Sequence, residues 1–123
     1  MKETALFVGW GGAYPGRESV ALDGYHEWVK ILEELKEQGE IEDFLTVALG
    51  PTGGDLDGFT LVFADEMTLM QLSQREDFHR LQVQGEREFA KFMVVPAITG
   101  ERVEKEFKLL QDEILPVFEH AHV

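Results

Sequence analysis

The chain has 123 residues, 44% of them hydrophobic, and a net charge of −13 from 11 basic and 24 acidic side chains. This length and hydrophobic content predict one folded domain over residues 1–123 and exclude an intrinsically disordered chain. The absence of cysteine excludes disulfides and thiolate chemistry, and the acidic balance argues against nucleic-acid and anionic membrane partners, which are bound through Lys and Arg.

Four apolar runs predict the strands of one sheet, at residues 5–10, 44–49, 59–64 and 92–98. A strand with one wet face alternates apolar and polar residues, but these runs are apolar at successive positions. In the first run, Leu6, Val8 and Trp10 point one way, and the residues between them, which point the other way, are not polar either. We therefore expect both faces of the sheet to be covered.

A glycine-rich loop, residues 9–16, leads from the first strand toward the first helix. With Asp23 as the expected N-cap, the connection is about a dozen residues long, against a usual two to six. It lacks both the glycine spacing of a dinucleotide fingerprint and the ending of a phosphate-binding P-loop. We interpret it as a flexible loop. The alternative is a lid over a cavity, in which Trp10 and Tyr14 form aromatic walls and Arg17 holds an anion.

Apolar residues at helical spacing predict two helices between the strands. The first helix runs from Asp23 to a glycine stop at Gly39. The second begins at an N-cap on Asp65, is kinked or divided around residues 74–77, and ends near Gly85. Each helix is long enough to cross the sheet and cover part of one face.

The elements follow the order strand, helix, strand, strand, helix, strand, and then a last helix that Gly100 opens and Pro116 stops. We predict an α+β fold of the ferredoxin-like βαββαβ type, with a four-stranded antiparallel sheet and an extra C-terminal helix. Right-handed crossovers place both connecting helices on the same face. The other face would be a large exposed apolar patch, so we predict a homodimer in which two sheets pack face to face.

This order and size resemble the dimeric α+β barrel superfamily over residues 3–114. Residues 75–81, Arg-Glu-Asp-Phe-His-Arg-Leu, and residues 94–100, Val-Val-Pro-Ala-Ile-Thr-Gly, are similar to the second helix and last strand of such proteins. The superfamily includes the stress-responsive A/B barrel, YCII-like, EthD-like and antibiotic-biosynthesis monooxygenase families. The resemblance implies a homodimer and a cavity between the sheet and its own helices, but no particular reaction. The asparagine–tryptophan pair of many such monooxygenases is excluded, because this chain has no asparagine.

Histidine is the most suitable acid–base residue in a chain without cysteine. We predict His79 as a proton-transfer residue, with His26 or Tyr25 orienting the substrate. Both histidines belong to helices expected to cover the same sheet face, so both rings would approach one cavity. The alternative is that each is a boundary residue with its ring in water. The resemblance to YCII-like proteins implies a carboxylate partner for a histidine, which Asp77 or Asp65 would supply.

The expected function is binding of a small, largely apolar molecule between the sheet and the helices, with or without cofactor-free acid–base or oxygenase-like chemistry. Its candidate ligand-binding residues are Trp10, Tyr14, Arg17 and Tyr25. The alternative is a structural or interaction module that serves dimerisation or higher assembly, with the tail at residues 117–123 packed on a neighbour.

The sequence predicts no cofactor and no metal site, since two histidines in a terminal tail, His120 and His122, are rarely a metal site. It also shows no basic N-terminal leader and no apolar run near the ~20 residues that span a bilayer. We therefore expect a cytoplasmic protein whose partner is a second copy of itself.

Overall fold

A computed structural model describes residues 3–51 and 54–114 of the chain. The elements in chain order are β1 (Thr4–Trp10), α1 (Glu18–Glu37), β2 (Asp43–Ala48), β3 (Gly58–Phe63), α2 (Glu66–Ser73), α3 (Glu76–Glu88), β4 (Met93–Ile98) and α4 (Glu101–Leu109). A π-helical turn at Leu110–Ile114 continues α4. All four predicted strands are present, and each boundary lies within one residue of the predicted position.

The strands form one antiparallel sheet in the order β2, β3, β1, β4. Leu6 of the central strand β1 lies opposite Val62 on one side and Pro96 on the other. Together with the βαββαβ element order, this strand order is the ferredoxin-like arrangement. The predicted α+β fold class, the four-stranded antiparallel sheet and the extra C-terminal helix are confirmed.

Three helices cover one face of this sheet. Leu6, Val8 and Val62 point toward the helices and belong to a single buried cluster with residues of α1, α2 and α3. The helical members of the cluster are Trp28, Leu32, Leu35, Leu69, Leu72, Phe78 and Leu81. This packing explains the apolar residues on one side of every strand.

The opposite side of the sheet, here called the open face, carries Phe7, Leu45, Val47, Phe59, Leu61, Met93 and Val95. The rings of Phe7 and Phe59 stack on one another with centroids 5.2 Å apart. Leu45 nevertheless keeps 51% of its surface exposed, and Val95 keeps 43%. The second apolar face predicted from the sequence is therefore present and accessible in the single chain.

The first helix begins earlier than predicted. Glu18 is its first residue and Arg17 occupies the N-cap position, so the expected N-cap at Asp23 is wrong. The extra turn is stabilised because Ala21 is buried and its N–H donates to the carbonyl of Arg17 at 2.8 Å. The end of the helix is as predicted, since Gly39 follows it with a φ of 74°, in the left-handed region.

The second predicted helix consists of two pieces, α2 and α3, separated at residues 74–75. Asp65 is its N-cap, as expected, and its carboxylate accepts from the N–H of Thr68 at 2.8 Å. The predicted end near Gly85 is wrong, because α3 continues to Glu88. Gly85 serves packing instead: a Cβ there would lie 2.4 Å from the ring of Phe92. The extra turn brings Glu88 to the sheet.

The last helix, α4, begins directly after Gly100, which has a φ of 63°. None of its residues is buried, and its apolar side chains include an exposed Phe107. The predicted stop at Pro116 and the tail at residues 117–123, with both of its histidines, lie outside the described residues. Across residues 3–51 and 54–114, no helix combines the length and apolar character needed to cross a membrane.

Candidate functional site

A cavity of about 50 Å³ lies between the sheet and two of its helices. Strands β1 and β4 form its floor, and helices α1 and α3 form its walls. Its lining residues are Val8, Trp10, Gly24, Tyr25, Trp28, Phe78, Leu81, Gln82, Gln84, Gly85, Glu88, Phe89, Phe92 and Val94. A single water needs about 10–15 Å³, so the cavity has room for a few waters, and a ligand with a ring would have to widen it or extend out of it.

Aromatic rings form much of the cavity wall. The indole of Trp10 lies 6.0 Å from the ring of Tyr25 and 6.2 Å from the ring of Phe89, measured between centroids. Deeper in the site, Trp28 and Phe78 meet edge to face with centroids 5.3 Å apart. Such a wall offers large apolar contact area together with the negative faces of π systems.

The polar groups below the cavity are already paired with one another. The indole Nε1–H of Trp28 donates to Oγ1 of Thr60 at 3.4 Å. The hydroxyls of Thr60 and Thr46 share a further hydrogen bond of 3.0 Å. Since Thr60 is fully buried, these two hydrogen bonds give its hydroxyl and the indole N–H of Trp28 the partners they need.

Glu88, the last residue of α3, is the one charged residue among those that line the cavity in the described part of the chain. Only 7% of its surface is exposed. One carboxylate oxygen, Oε2, packs against α1 at Gly24, where a Cβ would come within 3.0 Å of it. Within residues 3–51 and 54–114, no side chain forms a hydrogen bond or ion pair with this carboxylate, and its oxygens keep a small contact with solvent.

Burial raises the pKa of the Glu88 carboxyl above its ordinary value. The nearby charge of Arg17 acts in the opposite direction, and that of Asp23 adds to the rise. Desolvation is the largest of these effects, because removal of water disfavours the charged form of a carboxyl group. Glu88 therefore combines burial, a shifted pKa and a position in a cavity, the combination typical of functional carboxylates.

The glycine-rich loop holds the end of α3 in place. The N–H of Gly11 donates to the carbonyl of Ala90 at 2.7 Å, and the N–H of Ala90 donates back to Gly12 at 2.9 Å. A third bond of 2.9 Å runs from the N–H of Tyr14 to the carbonyl of Glu88. The loop is thus anchored by backbone hydrogen bonds, and it fixes the segment that carries Glu88.

Two of the four predicted ligand-binding residues line the cavity. These are Trp10 and Tyr25, whose rings contact each other. Tyr14 is 46% exposed and does not line it. Arg17 is also exposed and outside the lining, although its charge acts on Glu88. The loop thus contributes its backbone and Trp10 to the site, while the side chains of Tyr14 and Arg17 lie in solvent.

The two predicted catalytic histidines are not brought together in this cavity. His26 is exposed on α1, where its ring lies 5.9 Å from that of Tyr25 between centroids. His79 is exposed on α3, and neither histidine lines the cavity. The expectation that both rings share one pocket is wrong, since the apolar stripes of α1 and α3 turn the neighbouring residues Tyr25 and Phe78 inward instead.

Sequence reasoning missed Glu88, although the sequence holds a signal for it. Phe78, Leu81, Gly85 and Glu88 are spaced by three, four and three residues, the spacing of one helix face. A carboxylate at the end of a buried stripe is unusual, since charged residues are rarely buried without a partner. Interpreting Gly85 as the end of the helix leaves Glu88 outside the helix and hides this spacing.

No protein-family model matches the chain, and no curated protein matches its sequence at a significant level. Among the described residues, no group of three or more His, Asp or Glu side chains is placed to hold a metal ion. The site is therefore characterised by its own residues: aromatic walls, an apolar floor and one buried carboxylate.

Proposed function

We propose that this protein binds a small, largely apolar molecule in the cavity between its sheet and helices, and that it works as a homodimer paired through the open face. The observation that carries the proposal is a cavity lined almost entirely by apolar and aromatic side chains, with a single buried carboxylate. Ligand sites commonly combine an apolar wall with a few polar groups that fix orientation.

The cost of keeping Glu88 supports a role in binding. A buried carboxylate without a partner loses the hydration that stabilises its charge, and it destabilises the fold. A Leu or Met at this position would complete the stripe of α3 without that cost. Glu88 is therefore better explained by an interaction made when the cavity is occupied than by packing of the chain.

The homodimer is supported by the open face. A contiguous apolar surface across four strands is unusual for a monomer, and pairing with a second copy through a two-fold axis removes it from water. Such pairing gives the arrangement of a dimeric α+β barrel, in which each protomer keeps its own cavity on the helix side. Sedimentation of the purified protein should give twice the chain mass of 14.0 kDa.

The proposal is for binding and places no reaction on the two histidines. An acid–base role for His26 and His79 requires each ring to approach bound ligand, and both rings are exposed to solvent outside the cavity. A purely structural module remains the second candidate, favoured by the extent of the open face. It differs from the first in requiring no ligand.

The test uses a neutral one-ring compound, benzyl alcohol, and measures the thermal midpoint of unfolding. Binding to the folded chain raises this midpoint as the compound is titrated, by mass action. The substitution Val94→Phe fills the cavity from its floor and should abolish the rise. The control Val20→Phe adds the same atoms at an exposed position of α1 and should leave the rise in the thermal midpoint unchanged.

Two results would contradict the binding function. One is a thermal midpoint that does not change with this compound or with its amine analogue, benzylamine. The other is an equal rise in the wild type and in Val94→Phe, which would place binding elsewhere. Either result would leave the structural module as the better explanation.

A further inference from the structure

The carboxylate of Glu88 lacks a counter-charge within its own cavity. No Lys, Arg or His is found among the described residues that line it. Arg17 lies close enough for its charge to act on Glu88, but it forms no ion pair with Glu88 and its side chain is exposed. The negative charge is therefore balanced by no contact within the described residues and is only partly hydrated, and a positive group on a ligand would supply what is missing.

The surrounding rings suit a cation as well as an apolar body. Trp10 contacts both Tyr25 and Phe89, so three π systems meet on the side of the cavity that also holds Glu88. A cation within about 6 Å of such ring faces is attracted by their quadrupoles, most strongly by tryptophan and in a desolvated site. Most of the remaining lining, including Val8, Leu81 and Val94, is apolar, and Gln82 and Gln84 add two neutral amides.

The net charge of the whole chain also favours a positively charged ligand. A net charge of −13 gives the protein a negative potential that concentrates cations and repels anions near its surface. Asp23 lies near Glu88 and adds to the local negative field. An anionic ligand would have to overcome this field and an unpaired carboxylate, whereas a cation is attracted by both.

We propose that the cavity selects a small organic cation, a protonated amine on an apolar or aromatic body, with Glu88 as its counter-charge and the rings of Trp10, Tyr25 and Phe89 around it. This inference rests on the proposed binding function and specifies its ligand class. The ammonium group forms a charge-assisted hydrogen bond with the Glu88 carboxylate, and the apolar body fills the space over Val8 and Val94.

The test compares benzylamine with benzyl alcohol, two compounds of nearly equal shape that differ in charge at neutral pH. Wild-type protein should bind benzylamine at least about tenfold more tightly, measured by calorimetry or by quenching of tryptophan fluorescence. Glu88→Gln should lose this preference while still binding benzyl alcohol. The matched control Glu86→Gln removes the same charge from an exposed position of the same helix and should keep the preference.

Each alternative outcome has a distinct meaning. Equal affinities of the wild type for the two compounds would overturn the cation proposal and leave the binding function standing. A preference for benzylamine that survives in Glu88→Gln would also overturn it, because the counter-charge would lie elsewhere. Failure of both compounds to bind would overturn the binding function itself. The wild-type comparison requires no variant, so the proposal stays testable if Glu88→Gln does not fold.

Discussion

The two faces of the sheet are both apolar, but they differ in what covers them. On the helix side, Leu6, Val8 and Val62 are buried under three helices, and the covering leaves a cavity around Glu88. On the open face, Leu45 and Val95 remain about half exposed although the sheet is fully formed. The same strands therefore supply a core on one side and an accessible apolar surface on the other.

The comparison shows how a polar group can indicate function. Pairing of the open face with a second copy requires only apolar contact, and its central positions, such as Phe7 and Leu61, carry no charge. The helix face needs no charge for packing either, yet it holds Glu88. Packing accounts for the apolar residues of this face but not for Glu88, and a buried charge is costly unless it interacts. Glu88 therefore marks the candidate site.

The largest expected effect comes from the core of the helix face. Leu32 has no exposed surface, so Leu32→Ala removes buried methyl groups and leaves a void. We expect a loss of about 2–5 kcal/mol in the free energy of unfolding, measured with urea. Leu22→Ala, on the exposed side of the same helix, should change it by less than about 0.5 kcal/mol. Similar losses for the two variants would contradict the helix-face core.

The next effect concerns the loop that fixes the end of α3. A Cβ on Gly11 would lie 2.6 Å from the carbonyl oxygen of Asp55 and 2.7 Å from that of Ala90. Because both atoms belong to backbone, Gly11→Ala should destabilise the fold by about 1–3 kcal/mol. Gly50→Ala places the same methyl group in open space and is the matched control in urea unfolding. A neutral Gly11→Ala would show that the loop is not held against Ala90.

A charge on the open face separates assembly from folding. Leu45→Lys places an ammonium in the proposed interface, where its desolvation opposes association. We expect sedimentation to report the chain mass of 14.0 kDa instead of twice that value, with little change in unfolding of the chain. Met67→Lys introduces the same charge at an exposed site on α2 and should leave the dimer intact. A wild-type monomer at micromolar concentration would remove the basis of the homodimer.

The smallest effect is a pH dependence that belongs to Glu88. Burial raises the folded-state pKa of the Glu88 carboxyl above its ordinary value of 4.5. Well below this pH the carboxyl is protonated in both the folded and the unfolded chain. As the pH rises through the raised pKa, the folded chain loses the proton at a greater cost than the unfolded chain, so the free energy of unfolding falls. Relative to Glu88→Gln, the wild type should therefore become less stable across this window. Arg17 and Asp23, whose charges act on this carboxyl, are present in both proteins, so the difference between the two unfolding curves isolates Glu88. A constant difference would contradict the raised pKa.

Much of the fold could be predicted because its signals are local. The apolar runs gave every strand to within one residue, and Asp65 and Gly39 marked a helix start and a helix stop through their own hydrogen bonds and φ. The incorrect helix boundaries lie at residues that suit two different positions in a fold. Asp23 suits an N-cap but also suits an exposed position inside α1. Gly85 suits a helix end but also accommodates the ring of Phe92.

The candidate site was predictable only in part. Trp10 and Tyr25 could be predicted because the periodicity of apolar residues shows which faces of β1 and α1 point inward. The orientation of a histidine next to an apolar stripe depends on the rotation of the helix against the sheet, and this rotation turned His26 and His79 outward. Glu88 reached the cavity only because α3 continued past Gly85 and the loop at Gly11 pinned the segment that follows it.

The sequence by itself determined the element order, the fold class and the presence of two apolar sheet faces, since each depends on the period of side chains along one segment. The tertiary structure decided which residues meet. It paired the end of α3 with the loop after β1, left a cavity above Val8 and Val94, and enclosed one carboxylate there. Such meetings depend on the relative placement of segments distant in the chain, and no local period encodes that placement.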